Sequence, residues 1–93
     1  MKDTFRQQFE RLALRLAELE ATLADPRVAA DMKSFRELTR EHAEAASLVE
    51  RFRRYEQRER DLAAAQDLLD DADMAEMARE EAVEAQADME RLH

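Results

Sequence analysis

Glycine, cysteine and tryptophan are all absent from this chain of 93 residues, and proline occurs once. Each absence excludes something. A sheet protein needs many tight turns, and tight turns draw on Gly, Pro and Asn. With that chemistry available for one or two turns at most, the chain must be nearly all helix. Without cysteine there is neither a disulfide framework nor a thiolate metal site, which fits a reducing compartment. No apolar run approaches the roughly 20 residues of a membrane span. Charges interrupt the first twenty residues, so the segment beginning Met1-Lys2-Asp3-Thr4-Phe5 has no signal-peptide apolar stretch. These absences together lead to the expectation of a cytoplasmic protein.

What is present is charge and helix formers. Charged residues make up 41% of the chain, and its commonest residues are the helix formers Ala, Glu, Arg and Leu. The net charge of −8 is unevenly placed. Met1 to Gln66 carries 13 basic and 13 acidic residues, whereas Asp67 to His93 carries 10 acidic and 2 basic. The acidic last segment repels phosphates, and it invites attraction to the basic middle of the same chain.

Hydrophobic spacing predicts three helices. The first covers about 3–24, with Asp3 or Thr4 as its cap. Its apolar residues Phe5, Phe9, Leu12, Leu16, Leu19 and Leu23 are spaced 4, 3, 4, 3 and 4 apart, a coiled-coil seam that requires a partner helix. Asp25-Pro26 ends it. Pro26 suits the first position of a new turn with Asp25 as cap, so a short helical turn inside a connector is expected over 26–30. The long helix is expected over 34–69, opened by a Ser34/Glu37 capping box, with Asp31 as an earlier alternative start. Phe35, Leu38, His42, Ala45, Val49 and Phe52 form one stripe on it. Leu48, Tyr55, Leu62 and Leu69, seven apart, form a second. Two stripes let one rod hold two partners. Asp70-Asp71-Ala72-Asp73 breaks the rod, and Asp73 caps a third helix over 73–93. That helix carries Ala75, Ala78, Ala82, Ala85, Met89 and Leu92, a face of small residues suited to close approach. Its pattern is still in phase at Leu92 and His93, which suggests a piece of something longer. The expected fold is all-α: an antiparallel, coiled-coil-like three-helix bundle with one long central helix and a short connector turn, forming a single domain over 1–93.

Chemistry-bearing residues are few. The acidic cluster at Asp70–Asp73 fails the EF-hand pattern, because a loop counted from Asp71 has Glu76 where glycine is required and Ala82 where glutamate is required. Capping and the helix dipole account for it better. His42 has no second His or Cys at ligand spacing, so packing or a bond to a Glu is its expected role. Thr4, Ser34 and Ser47 have no general base in register, and there is no Gly-rich loop. No catalytic, cofactor-binding or metal-binding residue is assigned. The candidate contact surface for a partner is Arg51, Arg53, Arg54, Arg58 and Arg60, interleaved with Phe52 and Tyr55. Glu56 and Glu59 weaken a nucleic-acid reading, and Arg–Glu pairs at i,i+4 are ordinary on solvated helices. A solvated face or a protein contact therefore outranks RNA for this run.

Three ordered stretches carry a resemblance. They are Leu23-Ala24-Asp25-Pro26-Arg27-Val28, then Lys33-Ser34-Phe35-Arg36-Glu37-Leu38-Thr39-Arg40-Glu41-His42-Ala43, then Ala65-Gln66-Asp67-Leu68-Leu69-Asp70-Asp71-Ala72-Asp73-Met74-Ala75-Glu76-Met77-Ala78, followed by Glu80 and Glu81. The chain resembles, over essentially its whole length, the N-terminal domain of the bacterial peptide chain release factor 1 family, the class-1 factors that read UAA and UAG. It departs from that pattern at His42, where relatives usually carry Tyr, and at Ala72, often Pro. The resemblance implies a non-catalytic three-helix domain that projects from a longer factor and lies toward the stalk base of the large ribosomal subunit. It implies the ribosome and the remaining domains of the factor as partners. Stop-codon reading and peptidyl-tRNA hydrolysis belong, by the same resemblance, to later domains; the hydrolysis loop is Gly-Gly-Gln, and this chain has no glycine. The alternative reading is a free-standing coiled-coil adaptor or oligomerisation module, for which the Phe5–Leu23 seam would drive self-association of the isolated chain.

Overall fold

The computed structural model describes all residues, 1–93. It contains four helices and no strand: α1 (Asp3–Leu23), α2 (Pro26–Ala30), α3 (Met32–Asp67) and α4 (Ala75–Leu92). The expected all-α architecture, with one long helix and a short connector turn, is what forms. At 36 residues, α3 is on the order of 54 Å long. The chain falls into two compact units, Lys2–Glu50 and Arg51–His93 with Met1, and α3 contributes to both.

Every backbone φ is negative outside the helices as well as within them, so both reversals are made without the left-handed turn residue that glycine usually supplies. In the N-terminal unit, aspartates do that work. Asp25 is extended and its side chain accepts a bond from the amide of Arg27, with Pro26 at the first helical position. Asp31 closes α2 and opens α3. Its carboxylate accepts from the amide of Ser34 at 3.3 Å and from the Ser34 hydroxyl at 3.1 Å. The cap therefore sits at Asp31 rather than at Ser34, and α3 starts two residues before the expected 34. A carboxylate at the cap outcompetes a hydroxyl three residues later, which becomes its partner instead. The start of α1 is also different from expectation: Lys2 occupies the cap with no side-chain bond, and Asp3 lies in the first turn.

The N-terminal unit packs α1 against the first half of α3 through a connector short enough to fold one back along the other. Leu19, Ala45 and Val49 are its buried residues, and the other seam residues of α1 are half-buried. The first stripe of α3 is covered from Leu38 onward, while Phe35 stays 40% exposed near the helix start.

In the C-terminal unit α3 ends at Asp67, two residues short of the expected 69. Single-turn bonds then carry the chain round: Leu68 N–H to Ala65 O, Leu69 N–H to Gln66 O and Asp71 N–H to Leu68 O. The Asp71 side chain accepts from the amide of Asp73 at 3.0 Å. Asp73 is thus consumed by the turn rather than capping α4, whose cap position is Met74 and whose first residue is Ala75. The buried residues here are all alanine: Ala65, Ala78 and Ala85. This is the close approach that the small face of α4 predicts. The second stripe of α3 holds only in its middle. Tyr55 and Leu62 are half-buried, while Leu48 and Leu69 are exposed. A strict seven-residue repeat drifts about 20° per heptad around a straight helix, and Leu69 lies beyond the helix end.

Candidate functional site

The five arginines of the candidate surface lie in the C-terminal unit, and α4 divides them into separate roles. Arg58 is the most enclosed, with its side chain 21% exposed. Its Nη1 donates to Asp61 Oδ2 at 2.9 Å and to Glu81 Oε1 at 3.1 Å. Its Nε stands 3.0 Å from Asp88 Oδ2, an ion pair in which the N–H is not aimed at the oxygen, so Nε makes no hydrogen bond. One guanidinium thus ties α3 to two turns of α4. Arg51 reaches the other end of α4, donating to the carbonyl of Leu92 at 3.1 Å, where a cation suits the helix dipole. Beside it, the Tyr55 and His93 rings lie 6.3 Å apart, centroid to centroid. Arg60 stays on its own helix, near Glu56 at 3.8 Å and Gln57 at 3.2 Å. Arg53 and Arg54 are exposed and have no partner within the chain.

The attraction expected between the basic middle and the acidic last segment therefore resolves into Arg58 with Glu81 and Asp88. Glu59 is also engaged, by the ammonium of Met1. Of the five, Arg53 and Arg54 remain outward-facing with no partner in the chain.

In the N-terminal unit, His42 meets Glu20 of α1 at 3.4 Å, the Glu contact expected for it. Sequence reading did not find the neighbouring Arg15–Glu41 fork, with Nε–Oε2 at 2.6 Å and Nη2–Oε1 at 2.8 Å. Its partners are 26 residues apart, and only local pairs can be counted along one helix. No group of three or more His, Cys, Asp or Glu side chains is arranged to hold a metal ion. No helix is long and apolar enough to cross a membrane.

Four carboxyls are held below their ordinary range. Glu41 is lowered chiefly by its bond from Arg15, Asp25 by Arg27, Asp31 by the amide and then the hydroxyl of Ser34, and Asp61 by the Gln57 amide group. A carboxyl lowered by folding contributes stability that is complete above its unfolded pKa of about 4 and is lost as pH falls through the folded value. Thermal melts followed by circular dichroism should give a melting temperature that holds from pH 7 to about 5 and falls below about 4. A melting temperature that climbed steadily down to about pH 3 would mean that the four paired carboxyls contribute nothing.

A family model described as the PCRF domain matches residues 12–93. Peptide chain release factor 1 of Leptothrix cholodnii is 56% identical over 92 residues, 99% of this chain and 26% of that protein. The chain belongs to this release factor family. Two further members are peptide chain release factor 1 of Methylibium petroleiphilum, 53% identical, and of Delftia acidovorans, 49% identical, each over 99% of this chain and 26% of its own length. The chain thus spans about a quarter of the length of these relatives. No solved structure matches it significantly.

Proposed function

We propose that this chain is the non-catalytic N-terminal domain of a cytoplasmic peptide chain release factor, acting in termination at UAA and UAG codons by docking the factor near the stalk base of the large ribosomal subunit. The observation that carries this reading is identity to release factor 1 proteins across 99% of the chain. The remaining three quarters of such a factor would read the codon and promote hydrolysis. The candidate docking residues are Arg53 and Arg54, because the other arginines of the run already have partners in the chain. Arg51 and Arg60 border them and keep exposed surface. The adaptor alternative needs the Phe5–Leu23 seam free for a second chain, and each of its six apolar residues is buried or half-buried within one chain.

The test is a chimera in which this chain replaces the corresponding segment of the Leptothrix cholodnii factor. Peptide release from ribosomes stalled at UAA should proceed at saturation as it does with the parent factor. Arg53→Glu with Arg54→Glu should raise the half-saturating factor concentration several-fold without lowering the saturated rate, as expected for charges that govern encounter. The advantage of the chimera over a factor lacking the domain should vanish on ribosomes stripped of stalk-base proteins. A chimera no better than the truncated factor on intact ribosomes would overturn the docking role.

A further inference from the structure

At the turn joining α3 to α4, the C-terminal unit leaves an apolar groove of about 210 Å³. Ala64, Ala65 and Leu68 form one side and Met74, Met77 and Ala78 the other, with Asp61 and Glu81 at its edge. Met77 is 64% exposed and Leu68 40% exposed, although both are large apolar side chains. Alanine is what opens the groove. Ala65 and Ala78 are buried and let the two helices touch, but they leave no bulk to fill the space on either side of the contact.

The electrostatic setting is one-sided. From Asp67 to Glu84 there are eight carboxylates and one base, Arg79. Glu81 is countered by Arg58. Asp67, Asp70, Asp73, Glu76, Glu80 and Glu84 are exposed and have no cation paired with them in the chain. Several of them lie within one or two residues of a groove residue, well inside the Debye length of about 8 Å at physiological salt. Such a field repels phosphate backbones and anionic lipid. It also repels the same groove of a second copy. The occupant it favours is cationic. An all-helical chain has no sheet edge to which an extended peptide could add its backbone bonds, so a ligand here must satisfy its own backbone, as a helix does.

We propose that this groove docks a lysine- and arginine-rich amphipathic helix of another protein. A bulky apolar side chain of that helix sits between Leu68 and Met77, and its cations face Asp67, Asp70, Asp73 and Glu80. The groove and its field are properties of this chain alone, so the proposal stands whether or not the ribosomal reading does.

The five methionines provide the readout. The chain, labelled with ¹³C at the methionine methyls, is titrated with a capped Leu–Lys peptide about five turns long, its leucines at helical spacing. The Met74 and Met77 signals should shift and the Met32 signal should not, although Met32 is 70% exposed on the other unit. Met77→Glu should weaken binding by about tenfold or more, as removal of a central apolar anchor does. The exposed charge variants Asp70→Asn and Glu80→Gln, which leave the packing untouched, should weaken it less and reduce its salt dependence. A Leu–Lys peptide of scrambled order should bind at least about tenfold more weakly. The proposal is overturned if Met32 shifts as much as Met77, if the scrambled peptide binds equally, or if Met77→Glu changes nothing. It is equally overturned if polyuridylate or anionic vesicles move the same two signals more strongly than the peptide, or if sedimentation shows a dimer that Met77→Glu abolishes.

Discussion

Leu19→Ala is expected to destabilise the N-terminal unit by about 2–5 kcal/mol, the range for truncating a fully buried leucine. Leu19 is 0% exposed and, with Val49 at 1%, is one of two large side chains enclosed completely. The remaining buried residue of that unit is Ala45, too small to move into the cavity. A domain of this size has a total stability of about 5–15 kcal/mol at most, so a single truncation removes a large share of it. For a chain of under 100 residues each kcal/mol shifts the midpoint by about 4–8 °C, and a fall of about 10 °C or more should be seen. Leu14→Ala, five residues earlier on the same helix and 63% exposed, should stay within about 0.5 kcal/mol of the parent. Equal melting temperatures for the two variants would mean that the seam of α1 is not packed as described.

The contrast between Leu14 and Leu19 also shows how much was legible beforehand. The seam spacing separates them correctly without coordinates, because a face of six residues at alternating three and four can be buried only as a set. The same holds for the Asp25-Pro26 boundary, where both residues have a single preferred role. Legibility fails where two residues compete for one role. Asp31 and Ser34 can each cap α3, and Asp71 and Asp73 can each serve the second turn; the outcome depends on a bond of about 3 Å that sequence spacing does not encode. It fails again on the second stripe, where a seven-residue count hides the slow rotation of a straight helix.

The candidate surface is the part least visible in sequence. Along α3 the five arginines look alike, and a pairing rule limited to i±3 and i±4 gives all of them but Arg51 a glutamate or aspartate. Only the placement of α4 separates them. Arg58 pairs with residues 23 and 30 positions away, as the numbers of Glu81 and Asp88 show, whereas Arg53 and Arg54 face solvent. A basic run read as one patch is thus partly structural and partly free. The groove at the second turn was hidden for a related reason: only the placement of α4 shows that the alanines opposite Met77 leave it exposed.

Arg58→Ala is the second large effect expected. The substitution leaves Asp61, Glu81 and Asp88 converging on one point with no cation among them. Removing one partner of a fully buried pair costs about 3–5 kcal/mol. Arg58 keeps 21% of its side chain exposed and Glu81 keeps 42%, so solvent screening reduces the expected cost to about 1.5–3 kcal/mol. Arg58→Met separates charge from bulk. It retains an apolar stem against α4 but not the cation, and should recover only part of the loss. The cost should also depend on pH in a definite direction. In the variant the three carboxylates face one another without their cation, so the penalty should shrink as pH falls through the ordinary carboxyl range of about 4 and that repulsion is removed. Pairing Arg58→Ala with Glu81→Gln and Asp88→Asn should recover stability at pH 7, because fewer charges remain to repel. Arg54→Ala provides the baseline, since its side chain is exposed and unpartnered, and should change stability by less than about 0.5 kcal/mol. Melts at pH 7 in which Arg58→Ala and Arg54→Ala coincide would show that α4 is held by its alanine face alone. If instead the penalty of Arg58→Ala is unchanged between pH 7 and pH 4, the loss is one of packing rather than charge, and Arg58→Met should then restore nearly all of it.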